Sequence, residues 1–114
     1  MAQETEFIIV LTTFPVAGDE NGAEAERIAK TLVDERLAAC VNVLAPMRSI
    51  YSWQGKIESA NERQLVVKTT RDRFIELESR ILELHHYDTP ELLVIDVTDG
   101  SRGYLQWLKE NTIK

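Results

Sequence analysis

Two stretches of this chain, Phe7-Ile-Ile-Val-Leu11 and Leu92-Leu-Val-Ile95, are apolar at every position. A strand with one face in water alternates apolar and polar residues, so an unbroken run asks for cover on both faces of a sheet. The remaining segments show how little cover the chain itself can supply. The loop Val16-Ala-Gly-Asp-Glu-Asn-Gly22 precedes a helix expected to reach about Arg36, with Asn21 and Glu24 spaced as its N-cap and N3. Ala25, Ile28, Ala29, Leu32, Val33 and Leu37 form that helix's apolar stripe. An extended stretch from Cys40 to Trp53 is interrupted by Pro46, and Gln54-Gly55 reads as a hairpin turn. Ile57 to Thr70 returns as a strand, with a bulge expected near Ser59-Ala-Asn61. A second helix is expected from about Asp72 to Leu84, with Phe74, Leu77, Ile81 and Leu84 on its stripe. Thr89 before Pro90 is biased away from helix, so His85 to Pro90 reads as a loop and Glu91 to Thr98 as a strand. Tyr104 to Glu110 closes the chain as a short helix carrying Leu105, Trp107 and Leu108.

The order β-α-β-β-α-β with right-handed crossovers defines an α+β, ferredoxin-like antiparallel sheet with a long hairpin and a short C-terminal helix. That plan puts the first and third strands in the middle and the second and fourth at the edges. Pro46 in the second strand fits an edge. Two helices cover only one face of such a sheet. The edge strand is itself apolar, with Val43, Leu44, Met47, Ile50, Tyr51 and Trp53, and Arg48 is the only charge between Cys40 and Gln54. A bare edge of this kind invites another chain. Each large apolar side chain buried is worth about 1.5–3 kcal/mol, so the sequence reads as a homo-oligomer.

Composition narrows the function. With 114 residues, 44% apolar and 28% charged, residues 1–114 form one globular domain. No apolar run is long enough to span a bilayer. The acidic start, Met1-Ala-Gln-Glu-Thr-Glu6, is unlike a secretory signal, which gives a cytoplasmic expectation. One cysteine, Cys40, excludes an intrachain disulfide and a four-cysteine zinc site. A net charge of −6 repels phosphate backbones and anionic headgroups, so neither nucleic acid nor membrane is an expected partner. The strand Arg63 to Thr70 also lacks the stacking aromatics of an RNA-binding sheet. No P-loop, dinucleotide fingerprint, HExxH or nucleophile-elbow string is present. Acylphosphatases share this fold but use an arginine in the loop after the first strand, and residues 12 to 22 contain none. The chain is not expected to be an enzyme.

Specific strings carry a resemblance. Arg36-Leu-Ala-Ala-Cys-Val-Asn42, Ser49-Ile-Tyr-Ser-Trp-Gln-Gly-Lys-Ile-Glu58, Val67-Lys-Thr-Thr70, His85 to Glu91 and Val94 to Leu108 resemble, in order, the CutA divalent-cation tolerance family. The resemblance implies a trimer of ferredoxin-like subunits, similar in plan to the PII signalling proteins, and a role in tolerance of copper or another divalent metal. Two departures stand out. His86 replaces the family's proline, and Thr12 stands where copper-binding members carry a thiol.

The candidate metal ligands are His85, His86 and Cys40. Imidazole and thiolate suit copper and zinc, but each residue also has a plainer reading. Cys40 lies between small residues and a β run, where a structural thiol belongs. His85 is placed to bond carbonyls at a helix C-terminus, and His86 to be solvated. Adjacent histidines in an extended loop point to opposite sides, so both are not expected on one ion. Tyr51, Trp53, Tyr104 and Trp107 read as core or interface aromatics, or with Lys68 and Glu91 as the lining of a cleft between subunits. A PII-like module binding a small molecule or protein partner in that cleft is the alternative function. A trimer serving only assembly is a third.

Overall fold

The computed structural model describes residues 5–16 and 22–113. β1 (Phe7–Pro15), α1 (Ala23–Asp34), β2 (Cys40–Val43), β3 (Met47–Trp53), β4 (Lys56–Thr70), α2 (Phe74–Leu84), β5 (Leu93–Asp96) and α3 (Arg102–Glu110) follow in order, with a 3-10 turn at Arg71–Arg73. All pairings are antiparallel, in the order β2-β4-β1-β5, and β3 also pairs with β4. The expected ferredoxin-like plan is present, with the expected second strand divided into β2 and β3.

The division has a physical cause. From the Val43–Leu65 pair to the Met47–Glu62 pair, the β2–β3 side advances four residues and β4 only three. The extra residue therefore lies at Leu44–Pro46. Pairing across Ser59 to Asn61 is continuous, so the bulge expected there is absent. Pro46 has no N–H to give the ladder, and the strand carrying it takes up the slip. At the other end of β3, Gln54 and Gly55 both have positive φ, 49° and 78°, as a two-residue hairpin turn of this hand requires.

Asn21, the expected helix cap, lies outside the described residues. Gly22 takes the N-cap place at φ 62°. α1 stops two residues short of the expected Arg36 because Arg36 itself turns left-handed, at φ 59°. Its N–H donates to Val33 O and that of Leu37 to Leu32 O, both at 3.0 Å, which is the Schellman closure. The Arg36 guanidinium then reaches the far end of the chain, donating to Glu110 O at 2.6 Å and Ile113 O at 2.8 Å.

Alternation along β1 sorts its apolar run onto two faces. Ile8, Val10 and Phe14 join Leu65 and Val67 of β4 under Ala25, Ile28 and Leu32 of α1 and Leu77 and Ile81 of α2. Val33 falls off the α1 stripe and is exposed. The Thr12 hydroxyl lies on the core face, fully buried and without a hydrogen-bond partner. An orphaned buried hydroxyl is destabilising, so Thr12→Val, nearly isosteric, is expected to raise the unfolding free energy by about 1 kcal/mol. Urea unfolding checks it, and a loss of stability contradicts it.

The opposite face is open. Ile9 and Leu11 pair there with Ile95 and Leu93 of β5, and Leu11 also with Val66 of β4. β5 is shorter than the expected Glu91 to Thr98, and all four of its residues are exposed. α3 covers only one end, where Thr112 meets Thr70 and the Lys68 ammonium lies 6.0 Å from the Tyr104 ring centre. Within one chain the β1 run is fully covered on the helical side alone, where Ile8 and Val10 are buried, and Val94 of β5 is exposed even on that side.

Candidate functional site

α2 ends at Leu84 because His85 turns extended, at φ −87° and ψ 147°. Its ring folds back onto β1 and stacks on Phe14, with ring centres 4.2 Å apart. The Tyr87 N–H lies 3.1 Å from Nδ1, which must therefore accept, so the ring proton sits on Nε2 and is donated to Thr13 O at 2.6 Å. Both ring nitrogens are engaged by backbone, and the carbonyl bonded belongs to β1 and not to α2. Burial pushes the imidazole pKa below its ordinary value, against the opposing pull of the Thr13 carbonyl. The folded state thus binds its proton less readily than the unfolded chain. His85 contributes stability above the unfolded-state value near pH 6.5, and that contribution is lost as pH falls through the lower folded-state value. Urea unfolding between neutral and acidic pH is expected to show this loss, and His85→Phe, which keeps the stack, to reduce the slope. An unchanged slope in the variant contradicts the assignment.

Beyond His85 the loop carries Tyr87 past the end of β1 to Glu62, midway along β4. Its hydroxyl donates to Glu62 Oε2 at 3.2 Å, and the Thr13 hydroxyl donates to the same oxygen at 3.3 Å. Burial, and then the Glu62 carboxylate, push the Tyr87 phenol up to about 12. Gln64, next but one along β4 and so on the same face, donates from Nε2 to Thr12 O at 2.8 Å and to Glu91 Oε2 at 2.9 Å. The open face thus has a polar end made of carboxylates, hydroxyls and an amide. His86 points away from it, and its Nε2 lies 2.9 Å from both carboxylate oxygens of Glu24 in the first turn of α1.

The structure does not bring Cys40, His85 and His86 together. Cys40 begins β2 and pairs with Lys68, whereas Thr13, which bonds His85, pairs with Gln64. Four residues of β4 separate those levels, or about 13 Å. Among the described residues no three His, Cys, Asp or Glu side chains converge as a metal site. Of the three expected ligands only His86 has its imidazole turned to solvent beside a carboxylate, a donor pair that suits copper(II) or zinc. Thr12 faces the core and adds no donor there. The expected cleft residues fall in three places. Lys68, Tyr104 and Trp107 lie near Cys40, with the two aromatic ring centres 5.4 Å apart. Glu91 belongs to the polar end. Tyr51 and Trp53 stand exposed on the hairpin.

Glu62, Gln64, Tyr87 and Glu24 were not legible as site residues. Parity in β4 places Glu62 and Gln64 on the face of Val66 and Lys68, but only the strand pairing shows which face that is.

The fold is a ferredoxin-like α+β sheet with one helical layer, carrying imidazole and carboxylate groups at one end. The family model for the CutA1 divalent ion tolerance protein matches residues 8–111. The "Divalent-cation tolerance protein CutA" of Pyrococcus horikoshii is 48% identical over 107 residues, covering 94% of this chain and 99% of the relative. "Protein CutA, chloroplastic" of Arabidopsis thaliana is 37% identical over 105 residues, 92% of this chain and 55% of that relative. The crystal structure of "stable protein, CutA1" from the psychrotrophic bacterium Shewanella sp. SIB1 superposes with a TM-score of 0.90 at 30% identity, covering 98% of this chain and 100% of that one. The chain belongs to the CutA divalent-cation tolerance family. Among the described residues no helix is long and apolar enough to cross a membrane.

Proposed function

We propose that this CutA-family chain acts in tolerance of copper and other divalent cations as a non-catalytic, metal-binding homotrimer of the cytoplasm. The family match across nearly the whole chain carries the reading. Two features of the geometry support it. The open apolar face provides a surface for further copies, and His86 with Glu24 offers an imidazole and a carboxylate at the surface. His85, with both ring nitrogens held by backbone, provides no free base, which favours binding over catalysis.

Titration of the tag-free protein with copper(II) against a competing chelator tests the reading. Wild type is expected to bind. His86→Ala is expected to weaken binding roughly tenfold, while His85→Ala and Cys40→Ala stay near wild type. Failure of wild type to compete for copper(II) or zinc overturns the metal-binding reading. Equal binding by His86→Ala removes the ligand assignment.

A further inference from the structure

Between β5 and α3 the chain crosses residues 97–101 without regular structure, and one peptide unit in that link is chemically set apart. Asp99 and Gly100 are both exposed, and the Gly100 N–H donates to Asp99 Oδ1 at 2.8 Å. No backbone carbonyl of the described residues takes that N–H. No cation among them pairs with the Asp99 carboxylate. The Gly100 nitrogen is therefore held against the carboxyl group of the preceding residue, one carbon–oxygen bond from its Cγ. Attack of that nitrogen on that carbon closes a five-membered succinimide, and holding the two groups together supplies the orientation a ring closure needs. Glycine favours the closure twice over, because it has no Cβ to crowd the nitrogen and turns freely in φ.

The other aspartates of the described residues are kept from this chemistry. Asp96, also exposed, has its carboxylate bonded to Thr5 and Arg71. The nitrogen that would attack it, that of Val97, is donated to Phe7 O at 3.0 Å. Asp34 precedes Glu35, whose N–H closes α1 onto Thr31 O at 2.9 Å. Asp72 and Asp88 precede Arg73 and Thr89, whose side chains flank the attacking nitrogen, and branching at Cβ stiffens Thr89 further. Among the described residues Asp99 alone combines a following glycine, an unpaired exposed carboxylate and a neighbouring nitrogen outside the backbone ladder.

We propose that Asp99-Gly100 is a self-modifying site, at which the folded chain converts aspartate to isoaspartate through a succinimide. The Gly100 nitrogen bonds to Asp99 Cγ, and the nitrogen's proton leaves with the carboxyl OH as water. Water then adds to one of the two ring carbonyls. Addition at Cγ restores aspartate. Addition at the main-chain carbonyl of Asp99 leaves the backbone running through Cβ and Cγ, one carbon longer, with a carboxylate on Cα. Water is released and taken up again, so the mass is unchanged. The longer link bears on α3, because Gly100 packs on Leu105, and a Cβ there would stand 3.2 Å from Leu105 Cδ2. Either Leu105 repacks or the helix carrying Tyr104 and Trp107 shifts. The site lies apart from the His86–Glu24 pair and does not depend on the metal reading.

The test incubates the full chain for weeks in mildly acidic buffer, folded and, in parallel, unfolded in urea. Peptide mapping with electron-transfer fragmentation locates isoaspartate, and methyl acceptance from an isoaspartyl methyltransferase counts it. Asn21-Gly22 can close the same ring, and it reports separately because its loss of ammonia changes the mass. Isoaspartate is expected at residue 99 of the folded chain at a rate within about tenfold of the unfolded rate. That rate is expected to exceed the rate at Asp96 by about tenfold or more. Asp99→Glu, whose ring would have six members, is expected to lose methyl acceptance in this peptide. A folded-state rate further below the unfolded one shows that the fold protects the link, and overturns the proposal. Equal accumulation at Asp96, or methyl acceptance that persists in this peptide of Asp99→Glu, overturns it too. The comparison of folded with unfolded wild type needs no variant, so it decides the matter even if Asp99→Glu does not fold.

Discussion

Arg63→Ala is expected to lower the unfolding free energy by about 3 kcal/mol or more. Arg63 lies in β4 facing the helices, only 8% exposed, and joins three parts of the fold through one side chain. Its Nε donates at 2.8 Å to Leu44 O, at the slip between β2 and β3. Its Nη1 donates at 3.1 Å to Gly22 O, at the start of α1, and reaches Glu26 at 3.3 Å. Hydrogen bonds from a charged donor contribute about 1.5–3 kcal/mol each, and truncation leaves the buried Gly22 carbonyl and the half-buried Leu44 carbonyl without them. The ion pair adds little, since the Glu26 side chain is 56% exposed and such pairs contribute at most about 1 kcal/mol. Glu26→Ala should therefore cost far less than Arg63→Ala. Arg63→Lys should recover only part of the loss, because an ammonium cannot span the same fork of acceptors. Urea unfolding of the three variants decides it. A change below about 1 kcal/mol for Arg63→Ala would show that the fold closes around β4 without this tether.

The contrast between Arg63 and the elements it joins shows where sequence reasoning stops. Strand and helix order follows from periodicity, because burial on a sheet or helix face demands it. The stripes Leu77–Ile81 and Ile28–Leu32 are buried as their spacing requires. Register is another matter. Pro46 marks a weak point in the ladder, but whether the slip falls in its own strand or in the partner depends on which backbone groups find mates. Leu44 found one in Gln64 O, at 2.9 Å, and β4 stayed regular. Likewise Arg36 looks like a helix residue until its side chain is seen capping α3, some 74 residues away in sequence. His85 is legible as a residue at a helix end, and its neutral tautomer is not, since that depends on Thr13 and Tyr87. The polar end of the open face was least legible of all. Glu62 occupies a position that alternation alone leaves equally suited to solvent, and its burial comes from the Tyr87 loop closing over it.

Leu11→Asp is expected to convert an assembled protein into single chains at micromolar concentration, and Leu93→Asp to do the same. These two residues are register partners at the centre of the open face, with Val66 on the other side of Leu11. In one chain Leu93 is 55% exposed and Ile95 46%. Burying such side chains against another copy contributes about 1.5–3 kcal/mol each, and the same residues act once per subunit. A carboxylate placed at Leu11 would instead have to leave water without a partner, which reverses the sign of the largest favourable contribution. Leu82→Asp is the matched control. Leu82 is 47% exposed, but it lies on the outer side of α2, across the helical layer from the open face. A general effect of lost hydrophobicity would dissociate all three variants alike, whereas a specific interface spares Leu82→Asp. Light scattering with circular dichroism separates dissociation from unfolding. If Leu11→Asp keeps the wild-type mass, the copies meet elsewhere, on the β2–β3 edge, and the sheet face tolerates water. If wild type is itself a single chain, the apolar runs of β1 and β5 are stable uncovered, and the case for any ligand held between copies goes with the interface.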